Sequence, residues 1–400
     1  MSSVLDPTLA APYAPARSAA HAGTDDFAWH AYAVVLAATM VITGLLWDIS
    51  WHMSIGRDTF WTPAHLLIQG GGLIAGLGSA YLALRITLRG TPAEKASAVS
   101  FWGFRAPLGA WVCVLGCGAM LTSAPFDDWW HNAYGLDVRI VSPPHILLGY
   151  GMLGIVLGAL LRTLALQNGH DEARRARASI LFAVSSGLLL TILDVFLFEY
   201  SHPTRQHLGA FYRVVSANLP ILVVAVAVAG RRRWPATTAA AVYMVVLAAT
   251  SWTLMLFRAT PKLGPIYQQI THYVPLDFPL LLIVPAFAID LAWRRLRERD
   301  IAGWRIWLAA PVLGVVFVAA LVAAQWPYSS FVLEHGRNWF FHLDNFVYWR
   351  PNTSTAYAFQ FRAPEVGEND GAAYLFAILY ATLASALGIA WGRWMTRVQR

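Results

Sequence analysis

One carboxylate and two imidazoles recur twice in this 400-residue chain at nearly the same spacing. The first set is Asp48, His52 and His65, in the pattern Asp-x3-His-x12-His. The second is Asp127, His131 and His145, in the pattern Asp-x3-His-x13-His. Their surroundings repeat too. Aligned on the first histidine, the sets share Trp51/Trp130, Gly56/Gly135 and Asp58/Asp137. Aligned on the second, they share Pro63/Pro143, Leu67/Leu147, Gly71/Gly151 and Gly78/Gly158. Imidazole and carboxylate donors suit copper, zinc, iron and nickel, and two His with one carboxylate also serve non-haem Fe(II) oxygenases. The repeat therefore predicts two metal sites made by duplication. The structural alternative is a duplicated hydrogen-bond network. Asp58 and Asp137 are read either as acceptors that orient the imidazoles from behind or as turn residues. Donor type alone does not choose the metal, and no residue is assigned as catalytic.

Such donors need elements that bring them together. Asp48 and His52 are four apart, which places both on one face of a helix. His65 follows a short loop and opens the next helix, so the three groups converge at the top of a helical hairpin. Asp127, His131 and His145 repeat that arrangement. The chain around them is apolar. Mean hydropathy is +0.50 and only 13% of residues are charged, against about 25% for soluble proteins. Apolar runs long enough to span a bilayer recur throughout. The reading is an all-α polytopic membrane protein with ten transmembrane helices and a duplicated metal-binding hairpin in the first four. The first five are expected at roughly 29–50, 61–86, 104–125, 141–165 and 179–199. The others are expected at roughly 212–230, 236–257, 275–293, 304–325 and 371–393.

The net charge of +7 is explained by topology rather than by nucleic acid. Basic clusters such as Arg174/Arg175/Arg177, Arg231/Arg232/Arg233 and Arg294/Arg295/Arg297/Arg299 each follow an even-numbered apolar segment. That is the positive-inside pattern of cytoplasmic loops. It places both termini in the cytoplasm of a bacterium, the protein in its inner membrane, and both Asp-His-His sets near the periplasmic face. The bilayer is then the first partner, and many of the 18 Trp and 15 Tyr fall at helix ends as an interfacial belt. The organisation expected is a disordered arm over 1–27, the duplicated hairpins over 28–165 and further helices over 166–325. A periplasmic aromatic loop over 326–370 and a last helix with a cytoplasmic tail over 371–400 complete it.

At the repeated residues the chain resembles the C subunit of the copper membrane monooxygenases, the particulate methane and ammonia monooxygenases. That subunit carries an Asp-x3-His-x12-His copper set, matched here by Asp48, His52 and His65. It also carries an Asn-x3-His-x13-His set, matched by His131 and His145 with Asp127 in place of Asn. The resemblance covers about residues 29–165. It implies copper at both sites and an oxidoreductase that uses O2 on a small apolar substrate. It also implies separate subunits of the monooxygenase type, with a homo-oligomer as the other expectation. This chain is longer than such a subunit, and nothing in it looks like the family's cupredoxin-like copper domain. Two other readings stand beside this one. The first is a protein that takes up, stores or delivers copper; the second is a membrane hydrolase using zinc-activated water.

Further polar residues draw weaker expectations. Asp194, Glu199, His202 and His207 suggest a degraded third copy, a proton path or an ordinary loop. His272 with Asp277, and Glu334, His335, His342 and Asp344, lie on the same outer side. The two cysteines, Cys113 and Cys117, are read as packing residues, with Cu(I) binding alongside Met120 as the alternative. No P-loop or Gly-x-Ser-x-Gly elbow is present, so nucleotide-driven transport and serine hydrolysis have no support.

Overall fold

Apolar runs of twenty or more residues have no water to satisfy their peptide groups in a bilayer, so they wind into helices that pair those groups internally. The computed structural model describes residues 25–56, 58–135, 142–169, 172–299, 303–343, 367 and 371–399. The first hairpin is α1 (Asp25–Ser54) and α2 (Pro63–Arg89). A short α3 (Pro92–Ala96) and a small antiparallel pair, β1 (Val99–Phe101) and β2 (Phe104–Ala106), lead to the second. That hairpin is α4 (Leu108–Tyr134) and α5 (Pro143–Gln167). Next come α6 (Glu172–Phe196), α7 (Phe198–Ser201), α8 (Gly209–Ala229) and α9 (Pro235–Leu254). The chain ends with α10 (Ile283–Glu298), α11 (Ala309–His335) and α12 (Gly371–Met395). Among the described residues nine helices are long and apolar enough to cross a membrane. The protein is an all-α polytopic membrane protein.

The helix expected over 275–293 forms only in its second half, α10. Pro275 and Pro279 lack N–H groups and push the residues before them into extended backbone. Residues 274–281 therefore enter the bundle as non-helical chain, and Pro285 sits in the first turn of α10 where its missing N–H costs nothing. Side chains satisfy the exposed backbone. Ser54 Oγ accepts from Val274 N at 2.8 Å and Ser50 Oγ donates to Val274 O at 2.6 Å. Tyr243 Oη accepts from Leu280 N at 2.9 Å and Gln325 Oε1 from Leu281 N at 2.9 Å. The helix expected over 304–325 is longer than its sequence suggested, since α11 runs on to His335 through Pro327. The start of the loop expected over 326–370 is therefore helical, and most of its remainder lies outside the described residues. So does nearly all of the expected arm over 1–27.

Close packing sets the level of the two hairpins. A Cβ at Gly72 of α2 would stand 2.8 Å from Met120 Cε of α4, and Gly76 faces Cys117 in the next turn. A Cβ at Gly116 would stand 2.8 Å from Gly151 O of α5. Small residues at these crossings let the backbones approach. Because α2 and α4 run antiparallel with 72 opposite 120, His65 and Asp127 emerge at the same end and level of the bundle. Cys113 and Cys117 are buried thiols filling this seam.

The basic helix ends are tied together at the opposite end. Gln167 and Asn168 bond to Ala229 O at 3.1 Å and to Met395 O at 2.8 Å. Asp290 of α10 accepts from Ala236 N, Thr237 N and Thr237 Oγ1 at 3.2, 2.8 and 2.7 Å. It thus caps the N-terminus of α9 from a different helix, satisfying donors that the first turn leaves unpaired. Replacing Asp290 by Ala should lower stability by about 1–3 kcal/mol. The check is unfolding by sodium dodecyl sulfate, with Glu298→Ala as a variant expected to leave the midpoint unchanged.

Candidate metal centres

The duplication extends to the way each pair of helices is ended and begun. Gly56 and Gly135, at φ +85° and +87°, stop α1 and α4 in backbone that residues with a Cβ rarely adopt. Pro63 and Pro143 occupy the first helical position of α2 and α5, behind Thr62 and Ser142. His65 and His145 consequently fall in the first turn of the second helix of each hairpin. Asp48 and His52, like Asp127 and His131, fall in the last turns of the first helix. In each hairpin the histidine of the second helix stands opposite the aspartate of the first.

In the first cluster His65 Nε2 lies 3.0 Å from Asp48 Oδ1 and 3.2 Å from Asp58 Oδ2. His52 Nε2 lies 3.3 Å from Asp58 Oδ2 and 3.8 Å from Asp48 Oδ2. Asp58, expected either behind the imidazoles or as a turn residue, stands instead beside both of them. In the second cluster Asp127 faces both imidazoles, with Oδ2 3.4 Å from His131 Nε2 and Oδ1 3.4 Å from His145 Nε2. Asp137 lies outside the described residues. Among the described residues these are the two groups of three or more acidic, histidine or cysteine side chains that could hold a metal ion.

The separations suit that task. Ligands held at about 2.1 Å around one tetrahedral ion lie about 3.4 Å apart. The tautomers also point to it. Thr59 O is 2.9 Å from His65 Nδ1, and Gly135 O is 3.2 Å from His131 Nδ1. A carbonyl oxygen can only accept, so in both rings Nδ1 carries the proton. A neutral ring then turns the Nε2 lone pair toward carboxylate oxygens, which repel it. Each cluster is built around a positive charge at that point. Burial alone would raise the Asp58 carboxyl, but hydrogen bonds from His52 and His65 and their charges hold it well below the usual carboxylate range.

The clusters differ in number of donors. The first has two carboxylates and two imidazoles; the second, as described, has one carboxylate and two imidazoles. Four protein donors close a tetrahedral shell, while three leave one position for water or substrate. On the same last turns of α4 as the second set, Phe126, Trp129, Trp130 and Tyr134 form one ring cluster, with Trp130 and Tyr134 centroids 4.5 Å apart. Next to His52 in α1, the Trp51 ring lies 6.1 Å from Tyr273.

The weaker candidates separate. His207 is buried against Trp326 and bonded to Ser330 Oγ at 2.9 Å. His272 is exposed beside Thr271, and His335 closes α11. His342 is buried, and burial lowers its imidazole to about 4. Asp344 lies outside the described residues. Asp194 and Asp277 line one cavity, described below. His30, which the sequence reading passed over, is buried on α1 with Nε2 3.0 Å from Ser79 Oγ. Its only signal was a polar residue at the edge of an apolar run.

Comparison of the chain with protein-family models, with curated proteins and with solved structures finds no match.

The depressed Asp58 carboxyl has a pH signature. A group whose folded-state pKa lies below its unfolded value adds stability above about pH 4, the ordinary carboxylate value, and loses it as the pH falls further. Asp58→Asn should therefore lower the thermal midpoint of the metal-free protein at neutral pH. The deficit against wild type should shrink in acid below about pH 4. Midpoints for both proteins measured across that range provide the check.

Proposed function

We propose that this protein is a membrane metalloenzyme that binds copper at the two Asp-His clusters and acts as an oxidoreductase. Its substrate class is a small apolar molecule, oxidised with O2, as in the copper membrane monooxygenases whose C subunit the repeat resembles. One observation carries the metal-binding part. His65 and His131 have Nδ1 held by a main-chain carbonyl and Nε2 aimed at carboxylates, the arrangement of a ligand awaiting a cation. The choice of copper, and the reaction, rest on the spacing match of the repeat. Copper at these donors would supply one-electron redox chemistry toward O2.

The residues of the chain divide the remaining work. Asp48, Asp58, His52 and His65 offer a closed donor set suited to a resting or electron-holding ion. Among the described residues Asp127, His131 and His145 offer three donors, and the reaction is assigned to this cluster. Phe126, Trp129, Trp130 and Tyr134 supply apolar rings on the same last turns of α4. The repeat lies at the end of the bundle opposite the arginine-rich ends, which supports a periplasmic position under the positive-inside rule.

A carrier of copper across the membrane fits less well. Among the described residues both donor groups sit at one end, and no ladder of them crosses the bundle. The three donors described at the second cluster are also consistent with one second reading, a hydrolase in which zinc holds an activated water as a further ligand.

Elemental analysis with EPR on the purified protein decides among these. The expected result is about two coppers per chain, one for each cluster, with nitrogen-coordinated Cu(II) signals. His52→Ala and His131→Ala should each remove about one equivalent. Zinc in place of copper would turn the reading to hydrolysis. Metal content unchanged in both variants, or no uptake of added copper by the wild type, would overturn it.

A further inference from the structure

A second pair of carboxylates, Asp194 and Asp277, lines one cavity outside the two Asp-His clusters. Asp194 stands near the end of α6 and is 7% exposed. Its Oδ2 accepts from Tyr243 Oη at 2.8 Å, and that hydroxyl in turn accepts from Leu280 N at 2.9 Å. Its Oδ1 is buried without a hydrogen-bond partner. Asp277, whose side chain is 25% exposed, lies on the non-helical segment before α10 and contributes a second oxygen, Oδ2, that is itself buried without a partner. Both line a cavity of about 10 Å³, room for one water-sized particle. Its other walls, among them Val195, Phe198, Leu247 and Leu276, are largely apolar, and none of its lining residues is basic.

Buried carboxylates are tolerated when a positive charge or hydrogen bonds compensate them. Here the hydrogen bonds run out at one oxygen of each residue. His202 Nε2 stands 4.0 Å from Asp277 Oδ1, beyond direct bonding distance. Non-helical backbone at membrane depth is found where it is buried in protein or lines a cavity, and such breaks mark ion sites. Three observations thus meet at one place: a non-helical stretch inside the bundle, two carboxylates with unpartnered oxygens, and a void of single-ion size.

We propose that Asp194 and Asp277 form a site for one small monovalent cation, held between the two unpartnered oxygens. The shared chemistry is a single positive charge, carried either by Na+ or by a proton bridging the carboxylates through water. The site is separate from the two Asp-His clusters, and neither its donors nor its cavity is shared with them. The same non-helical segment is bonded to α1 through Ser50 and Ser54, so occupancy is mechanically adjacent to the helix that carries Asp48 and His52.

The test is carbodiimide labelling of the full-length protein in lipid nanodiscs, mapped by peptide mass spectrometry. Dicyclohexylcarbodiimide reacts with protonated carboxyls in apolar surroundings. The groups facing the pair are Tyr243 of α9, His202, and Tyr328 of α11, whose buried hydroxyl lies near Asp277. Labelling of Asp194 or Asp277 that falls severalfold in NaCl relative to choline chloride assigns Na+. Labelling that is indifferent to Na+ but falls severalfold as the pH is raised assigns the proton. In either case Asp277→Asn should abolish the response at Asp194. Absence of labelling at both residues, or labelling that follows neither Na+ nor pH, overturns the proposal. Because the wild type alone gives these outcomes, a variant that does not fold leaves the test intact. The metal content of the Asp-His clusters is read separately, so failure here does not bear on them.

Discussion

Hydrocarbon offers a peptide group nothing to bond with, and this constraint shapes every part of the chain. It makes the apolar runs helical. It also governs the non-helical stretch before α10. There Ser50, Ser54, Tyr243 and Gln325 reach across from three other helices to bond backbone groups of Val274, Leu280 and Leu281. Those four side chains fix this segment in register with α1, α9 and α11. The position of Asp277 follows from that register, as does the contact of α1 with Tyr273.

A second layer of order comes from residues that have no side chain to intrude. Where α2 crosses α4, and α4 crosses α5, the glycines bring backbone and side chain within van der Waals contact. A bulkier residue at Gly116 would separate α4 from α5, and with them Asp127 and His131 from His145. The chemistry of the second cluster therefore depends on packing several turns away. The Cys113 and Cys117 thiols belong to this seam, each abutting a glycine of a neighbouring helix.

Much of this was legible beforehand, for identifiable reasons. Long apolar runs report membrane helices because lipid leaves few alternatives. The duplicated spacing reported the two clusters because helix geometry converts Asp-x3-His into a shared face. Asp58 was recognised as repeated, but its place beside both imidazoles depends on how the loop closes over the helix ends, which spacing does not encode. The interrupted helix was hidden by composition. Residues 275–293 are as apolar as their neighbours, and only Pro275 and Pro279 signalled the break. The pairing of Asp194 with Asp277 joins residues from distant elements, and no local pattern carries it.

The two kinds of polar site also differ in when they can exist. Each Asp-His cluster is drawn from one hairpin, contiguous in the chain, with its turn glycine and its helix-opening proline built in. Such a unit can close as soon as its two helices have entered the bilayer. The Asp194–Asp277 cavity needs α6, α9 and the segment before α10 together, so it forms only when the later half of the chain has been made. During synthesis the donor clusters are thus the early products and the Asp194–Asp277 pair a late one. An ion bound early would hold each hairpin in shape while the rest of the bundle assembles around it.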